Sequence, residues 1–181
     1  AGTMGAGIAQ VAAQAGCRVK LFDAREGAAA AANAKTAETL NALAAKGKIN
    51  AESAAATISR LSAAPDLADF HDCDLIVEAI VENLDAKRTL FKSLEGICAA
   101  STVLATNTSS ISITAIAAGL ARPENVVGMH FFNPAPLMAL VEVVMGQQTA
   151  PAVAGRVEAA CAEWKKTAVR CKSTPGFIVN R

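Results

Sequence analysis

The chain has 181 residues and a mass of 18.5 kDa, with 17 basic against 16 acidic side chains and a net charge of +1. Such a length holds one domain with a sizeable core, and a balanced charge without like-charge runs excludes the basic footprint of a nucleic-acid binder. Hydrophobic residues at 52% and charged residues at 18% exclude disorder and fit a helix-rich α/β domain.

In chain order, a glycine-containing start (AGTMGAGIAQ) leads into a helical pattern over 6–16, followed by a short apolar run at 18–22 that reads as a strand. A second helix is expected over 26–46. Further strands are expected at 74–80, 102–106 and 126–131, with helices over 84–95, 111–119 and 151–165 between and after them. The run at 140–144 follows a Pro-containing turn at 133–136 and is a further strand candidate, antiparallel to its predecessor. Strand–helix alternation of this kind predicts right-handed crossovers and a mostly parallel, doubly wound sheet covered on both faces. One domain over 1–181 is expected, with no linker and no internal repeat.

Five cysteines (Cys17, Cys73, Cys98, Cys161 and Cys171) are odd in number and form no C-x-x-C pair, so neither a disulfide framework nor a metal site is expected. They read as buried thiols of a reducing compartment. No apolar stretch reaches the ~18 residues of a membrane span, and the start lacks a basic region followed by an apolar one, so a cytoplasmic protein is expected.

Against the pattern G-x-G-x-x-G, Gly2 and Gly5 occupy the second and third glycine positions, and the first falls just before Ala1. Gly2 would let the backbone approach a pyrophosphate, Gly5 would let the helix pack close to the sheet, and the free N–H groups of the helix start would bind phosphate. A plain Gly-Ala helix start is the alternative. Asp23 closes the strand RVKLF 21 residues beyond Gly2, close to the ~20 expected for a carboxylate that holds an adenosine ribose. Such a carboxylate accepts from both ribose hydroxyls and repels a 2′-phosphate, which predicts NAD rather than NADP, although Arg25 is nearby. An exposed strand-end Asp without a ligand is the bland alternative.

Three later segments place polar residues where a doubly wound sheet puts its ligand: 105–110 (ATNTSS), 128–136 (GMHFFNPAP) and 174–181 (TPGFIVNR). His130 follows an apolar run, and Glu142 is an acidic residue inside the apolar stretch LVEVV. Either alone is more often a satisfied core residue. Together they form a base and its orienting carboxylate if the turn folds strand back on strand.

At this point the chain resembles the NAD-binding domain of the L-3-hydroxyacyl-CoA dehydrogenases, including bacterial enzymes of fatty-acid and phenylacetate breakdown. GTMGAGIAQ, DLIVEAIVENL, ATNTSSISI, HFFNPAPLMALVEVV and STPGFIVNR occur in the family's order and spacing across the whole chain. The resemblance implies a Rossmann-type fold and NAD-dependent oxidation of a 3-hydroxyacyl-CoA. It implies His130 as catalytic base, Glu142 as its partner, and Ser109 and Asn180 as substrate-positioning residues. It further implies that Gly2, Thr3, Met4, Gly5, Asp23, Asn107 and Ser109 contact the cofactor, and that Glu82 and Lys87 border its nicotinamide half. Ser109 has a second reading as a helix cap, since 108–110 precede the helical run.

On the helix 26–46, Lys35, Thr39 and Lys46 fall within a narrow arc. The resemblance assigns Thr39 and Lys46 to the CoA moiety; a solvated charged face is the alternative. It also implies that the first strand of the sheet and an all-helical C-terminal domain, which forms a homodimer, are missing from this chain. The competing functional class is a non-catalytic dinucleotide-binding relative. A 3-hydroxyacid dehydrogenase with a Lys base is a third, but no comparable Lys segment is present.

Overall fold

The computed structural model describes residues 1–174 and 176–179. Helix α1 (Thr3–Gln14) leads to β1 (Val19–Leu21), α2 (Ala28–Ala45), α3 (Ala51–Ser59), β2 (Leu61–Ala63), β3 (Leu75–Glu78) and α4 (Leu84–Ile97). Then follow β4 (Val103–Thr106), α5 (Ile113–Ala117), β5 (Val126–Phe131), β6 (Leu140–Met145), α6 (Pro151–Glu163) and β7 (Thr167–Lys172). Local chemistry sets several boundaries. Asn50, Asn83 and Ser112 each accept a hydrogen bond from a backbone N–H in the first turn of α3, α4 and α5, and Pro151 opens α6. Gly27, at φ 74°, cannot continue a helix backwards, so α2 starts at Ala28 and not at 26.

The strands form a five-stranded sheet in the order β3-β4-β5-β6-β7 and a two-stranded parallel sheet, β1-β2. Within the larger sheet only β5–β6 is antiparallel, so the expected mostly parallel α/β fold and the antiparallel hairpin at 140–144 both hold. Among the described residues, β1 and β3 each have a strand on one edge only. Three elements have no counterpart in the sequence reading. Strand β2 is only three residues long, α3 is Ala-rich without a strong apolar stripe, and β7 (TAVRCK) is exposed at Thr167, Val169, Arg170 and Lys172 and only half-buried at Ala168 and Cys171.

Period-two alternation sends successive strand residues to opposite faces. Val103, Ala105, Val127, Met129, Phe131, Val141 and Val143 join the core shared with α1 and α6. Ile76, Leu104, Val126 and Val144 join the core shared with α4 and α5. Parity therefore places Glu78, Thr106, His130 and Glu142 on this second face, and all four are buried there. Register brings them into pairs, with Glu78 opposite Thr106 and His130 opposite Glu142.

One glycine assignment needs correction. A Cβ on Gly5 would meet only Ala79 Cβ, at 4.0 Å, which is ordinary contact. The close approach of α1 falls instead at Gly7, where a Cβ would lie 3.2 Å from Ala135 Cβ and 3.3 Å from Pro136 Cδ. The turn after β5 folds back over α1, a long-range contact that motif spacing does not contain.

Candidate active site

A cleft of about 400 Å³ opens at the carboxyl ends of β3, β4 and β5, lined among others by Met4, Glu82, Lys87, Asn107, Ser109 and His130. Six of the residues singled out from sequence thus converge on one space. At its base, His130 Nδ1 lies 2.7 Å from Glu142 Oε2, with Glu142 wholly buried. A carboxylate can only accept, so Nδ1–H donates, and in the neutral imidazole the lone pair then sits on Nε2. The other Glu142 oxygen accepts from the Ile178 and Val179 N–H groups at 2.9 and 3.0 Å. The carboxylate is held from three directions, and the imidazole is flanked by the rings of Phe132 and Phe177 at 4.6 and 5.7 Å. Asn180 lies outside the described residues.

Around the cleft mouth, Asn107 Oδ1 accepts from Phe131 N–H at 2.8 Å, which ties the turn after β4 to the end of β5. Glu82 accepts from the Thr108 hydroxyl, the Ser109 N–H at 3.1 Å and the Ser110 hydroxyl at 3.2 Å. Burial pushes its carboxyl up, but those bonds and the Lys87 charge outweigh burial and hold it below the ordinary carboxylate range. Lys87 is itself buried, its ammonium 2.7 Å from Glu78 and 3.4 Å from Glu82. The cap of α5 is Ser112, so the reading of Ser109 as a helix cap does not hold. Thr108, whose hydroxyl accepts from Ser110 and Ile111 N–H, shapes the turn and leaves the Ser109 side chain at the cleft.

The other half of the candidate site is the start of α1. Gly2 caps it without a side-chain bond and no acidic residue occupies its first turn, which leaves the N–H groups near Thr3, Met4 and Gly5 for an anion. Asp23 follows β1 and accepts from Arg25 N–H at 2.9 Å. The Arg25 guanidinium, 3.2 Å away, together with that N–H holds its carboxyl well below the usual range. An uncapped helix start beside a strand-end carboxylate, opening toward a cleft at strand carboxyl ends, fits a dinucleotide: pyrophosphate at the helix and ribose at Asp23.

Two predicted residues stand apart. Thr39 donates to Lys35 O at 2.9 Å on the exposed side of α2, and Lys46 is the exposed residue that ends that helix. Neither lines the cleft. Conversely, Glu78 and Thr106, buried and bonded to each other and through Glu78 to the cleft-lining Lys87, have no counterpart in the sequence reading. Glu78 carried a readable signal, an acid inside the apolar run LIVEAIV, the same signal that singled out Glu142. No metal-ligating cluster occurs among the described residues, and none of their helices is long and apolar enough to cross a membrane.

Comparison with known proteins agrees with this geometry. The chain is 49% identical over 180 residues to 3-hydroxyadipyl-CoA dehydrogenase of Escherichia coli K12, covering 99% of this chain and 38% of that protein. It is 44% identical to a probable 3-hydroxybutyryl-CoA dehydrogenase of Bacillus subtilis, covering all of this chain and 63% of that one. The fold matches the crystal structure of (S)-3-hydroxybutyryl-CoA dehydrogenase from Ralstonia eutropha with a TM-score of 0.95 at 39% identity, over 99% of this chain and 64% of that one. The chain thus spans between about two fifths and two thirds of these relatives' lengths. Residues 1–174 match the family described as "3-hydroxyacyl-CoA dehydrogenase, NAD binding domain", and the chain belongs to that family.

Proposed function

We propose that the protein carrying this chain oxidises (S)-3-hydroxyacyl-CoA esters to 3-oxoacyl-CoA with NAD, in fatty-acid or phenylacetate-type β-oxidation. The observation that carries the reading is the buried His130–Glu142 pair at the base of a cleft. A dinucleotide binder has no need of a histidine whose one nitrogen is locked by a carboxylate while the other stays basic.

In this reading His130 Nε2 removes the proton from the substrate's 3-hydroxyl, and Glu142 keeps the proton on Nδ1 and stabilises the imidazolium that forms. Ser109 and Asn180 donate hydrogen bonds to the same oxygen as it becomes a ketone, which orients the carbon that is oxidised. NAD, when bound, supplies the two-electron acceptor for that carbon's hydrogen. Gly2, Thr3, Met4 and Gly5 hold its pyrophosphate, Asp23 its adenosine ribose, and Glu82, Lys87, Asn107 and Ser109 its nicotinamide half. Thr39 and Lys46, both exposed on α2, receive the CoA moiety where it runs outside the cleft. The site lies in a single Rossmann-type domain over 1–181. The five free cysteines support a cytoplasmic location. Homodimerisation through a helical C-terminal domain rests on the family resemblance.

The test is reduction of NAD and of NADP by the full-length protein with 3-hydroxybutyryl-CoA, longer 3-hydroxyacyl-CoAs and 3-hydroxyadipyl-CoA. NAD-dependent turnover with at least one of them is expected, with NADP poorer and Asp23→Ala narrowing the gap. Absence of turnover on every ester overturns the activity, and equal use of NADP overturns the ribose assignment.

A further inference from the structure

Glu78 is 3% exposed, and its carboxylate is fully used: one oxygen accepts from Lys87 Nζ at 2.7 Å and Ile80 N–H at 2.6 Å, the other from the Thr106 hydroxyl at 2.7 Å. Two arms lead from it to one turn. Through Thr106, whose hydroxyl accepts from Thr108 N–H at 3.2 Å, it reaches the turn directly. Through Lys87 it reaches Glu82, which accepts from Thr108, Ser109 and Ser110. The circuit closes on residues 107–110, the segment that presents Asn107 and Ser109 to the cleft.

Stability alone does not call for such a device. A buried ion pair is often matched or exceeded in stability by apolar residues of the same volume, and β3 and β4 already hold each other in register. Among the described residues the Ser109 side chain forms no hydrogen bond of its own, so its place is set by the backbone of the turn. What the circuit adds is a fixed geometry for that backbone relative to β3, β4 and α4. We propose that Glu78 is a positioning residue of the reaction, acting through Lys87 and Thr106 to hold Ser109 and Asn107 at the cleft. This rests on the dehydrogenase reading above.

Glu78→Gln preserves size but removes the charge, so Lys87 turns to Glu82 as its remaining carboxylate and competes with the turn's donors. Thr106→Val cuts the second arm and leaves the ion pair intact, whereas Thr106→Ser keeps the hydroxyl. In the full-length protein, kcat and KM for 3-hydroxybutyryl-CoA are measured with thermal unfolding and amide exchange at residues 108–110. Misplacing a substrate-orienting group by about 1 Å costs up to ~100-fold. Glu78→Gln and Thr106→Val are therefore expected to lower kcat by ~10- to 100-fold with KM changed far less, Thr106→Ser to recover most of the loss, and Glu78→Gln to speed exchange at Ser109 and Ser110. Unchanged kcat in both, a loss matched by the loss of folded protein, or Thr106→Ser as impaired as Thr106→Val overturns the proposal. If the unmodified protein turns over no hydroxyacyl-CoA, the dehydrogenase reading fails. Exchange at Ser109 and Ser110 then still decides whether Glu78 holds the turn, and unchanged exchange overturns it.

Discussion

His130 and Glu142 stand twelve positions apart in the chain, and the antiparallel register of β5, buried throughout, with the buried centre of β6 places them directly opposite. Glu142 spends its second oxygen on the Ile178 and Val179 amides, so the carboxylate is rigid before any substrate arrives. On the proposed mechanism, His130→Gln in the full-length protein is expected to lower kcat by ~10²- to 10⁴-fold with NAD affinity nearly unchanged, because it removes proton transfer and not a cofactor contact. Glu142→Gln should cost no more, since an amide oxygen still accepts from Nδ1–H while the charge that supports the imidazolium is gone. The pair acts as one unit, so the double variant should lose much less than the product of the single losses. Near-normal turnover of His130→Gln, or fully multiplicative losses, would return His130 to a buried structural histidine. Asp23 and Ser109 illustrate two other levels of legibility. Asp23 follows from strand end and spacing, whereas the role of Ser109 turns on which serine caps α5, a question decided by backbone direction.

Strand β5 shows how an element is constrained from both faces. Gly128 sits opposite Val144, and a Cβ there would lie 2.6 Å from Val144 Cβ and 3.0 Å from Ile113 Cδ1. No rotamer relieves a clash with another Cβ, so β6 or α5 has to move. Gly128→Ala is expected to destabilise the protein by about 1–3 kcal/mol through overpacking, which differential scanning calorimetry on the full-length protein reads as a lowered Tm. A Tm equal to wild type would mean that the β5–β6 spacing is looser than described. Two residues further on in β5 is His130, so the same displacement should also lower kcat. The glycine at 128 is invisible to a motif search, because its requirement comes from β6 and α5 and not from its neighbours in sequence.

At the scale of the molecule, β1 and β3 each expose an edge that no described strand covers, and Ile80, Val81 and Leu137 are 43%, 68% and 80% exposed. Unpaired edges template association with other chains, and exposed apolar side chains add to it. The 181-residue chain prepared alone is therefore expected to associate in a concentration-dependent way in size-exclusion chromatography with light scattering. A monomer that unfolds in one cooperative transition would contradict this expectation and show that these edges are protected in solution.

Alternating apolar runs and helical stretches were sufficient to establish an α/β fold with a mostly parallel sheet, because buried strands leave short continuous apolar runs and amphipathic helices leave a period of 3.6 on the chain. Local spacing also marked the helix-start glycines, the acid after the first strand, and an acid within an apolar strand. The tertiary structure decided the rest. It placed β2 and β7, whose short or half-exposed runs carry little periodic signal; it moved the tight glycine from Gly5 to Gly7; and it joined Glu78, Lys87, Thr106 and Glu82 into one circuit. Each of these depends on strand order and register, which are set by the packing of distant segments and leave no local trace in the sequence.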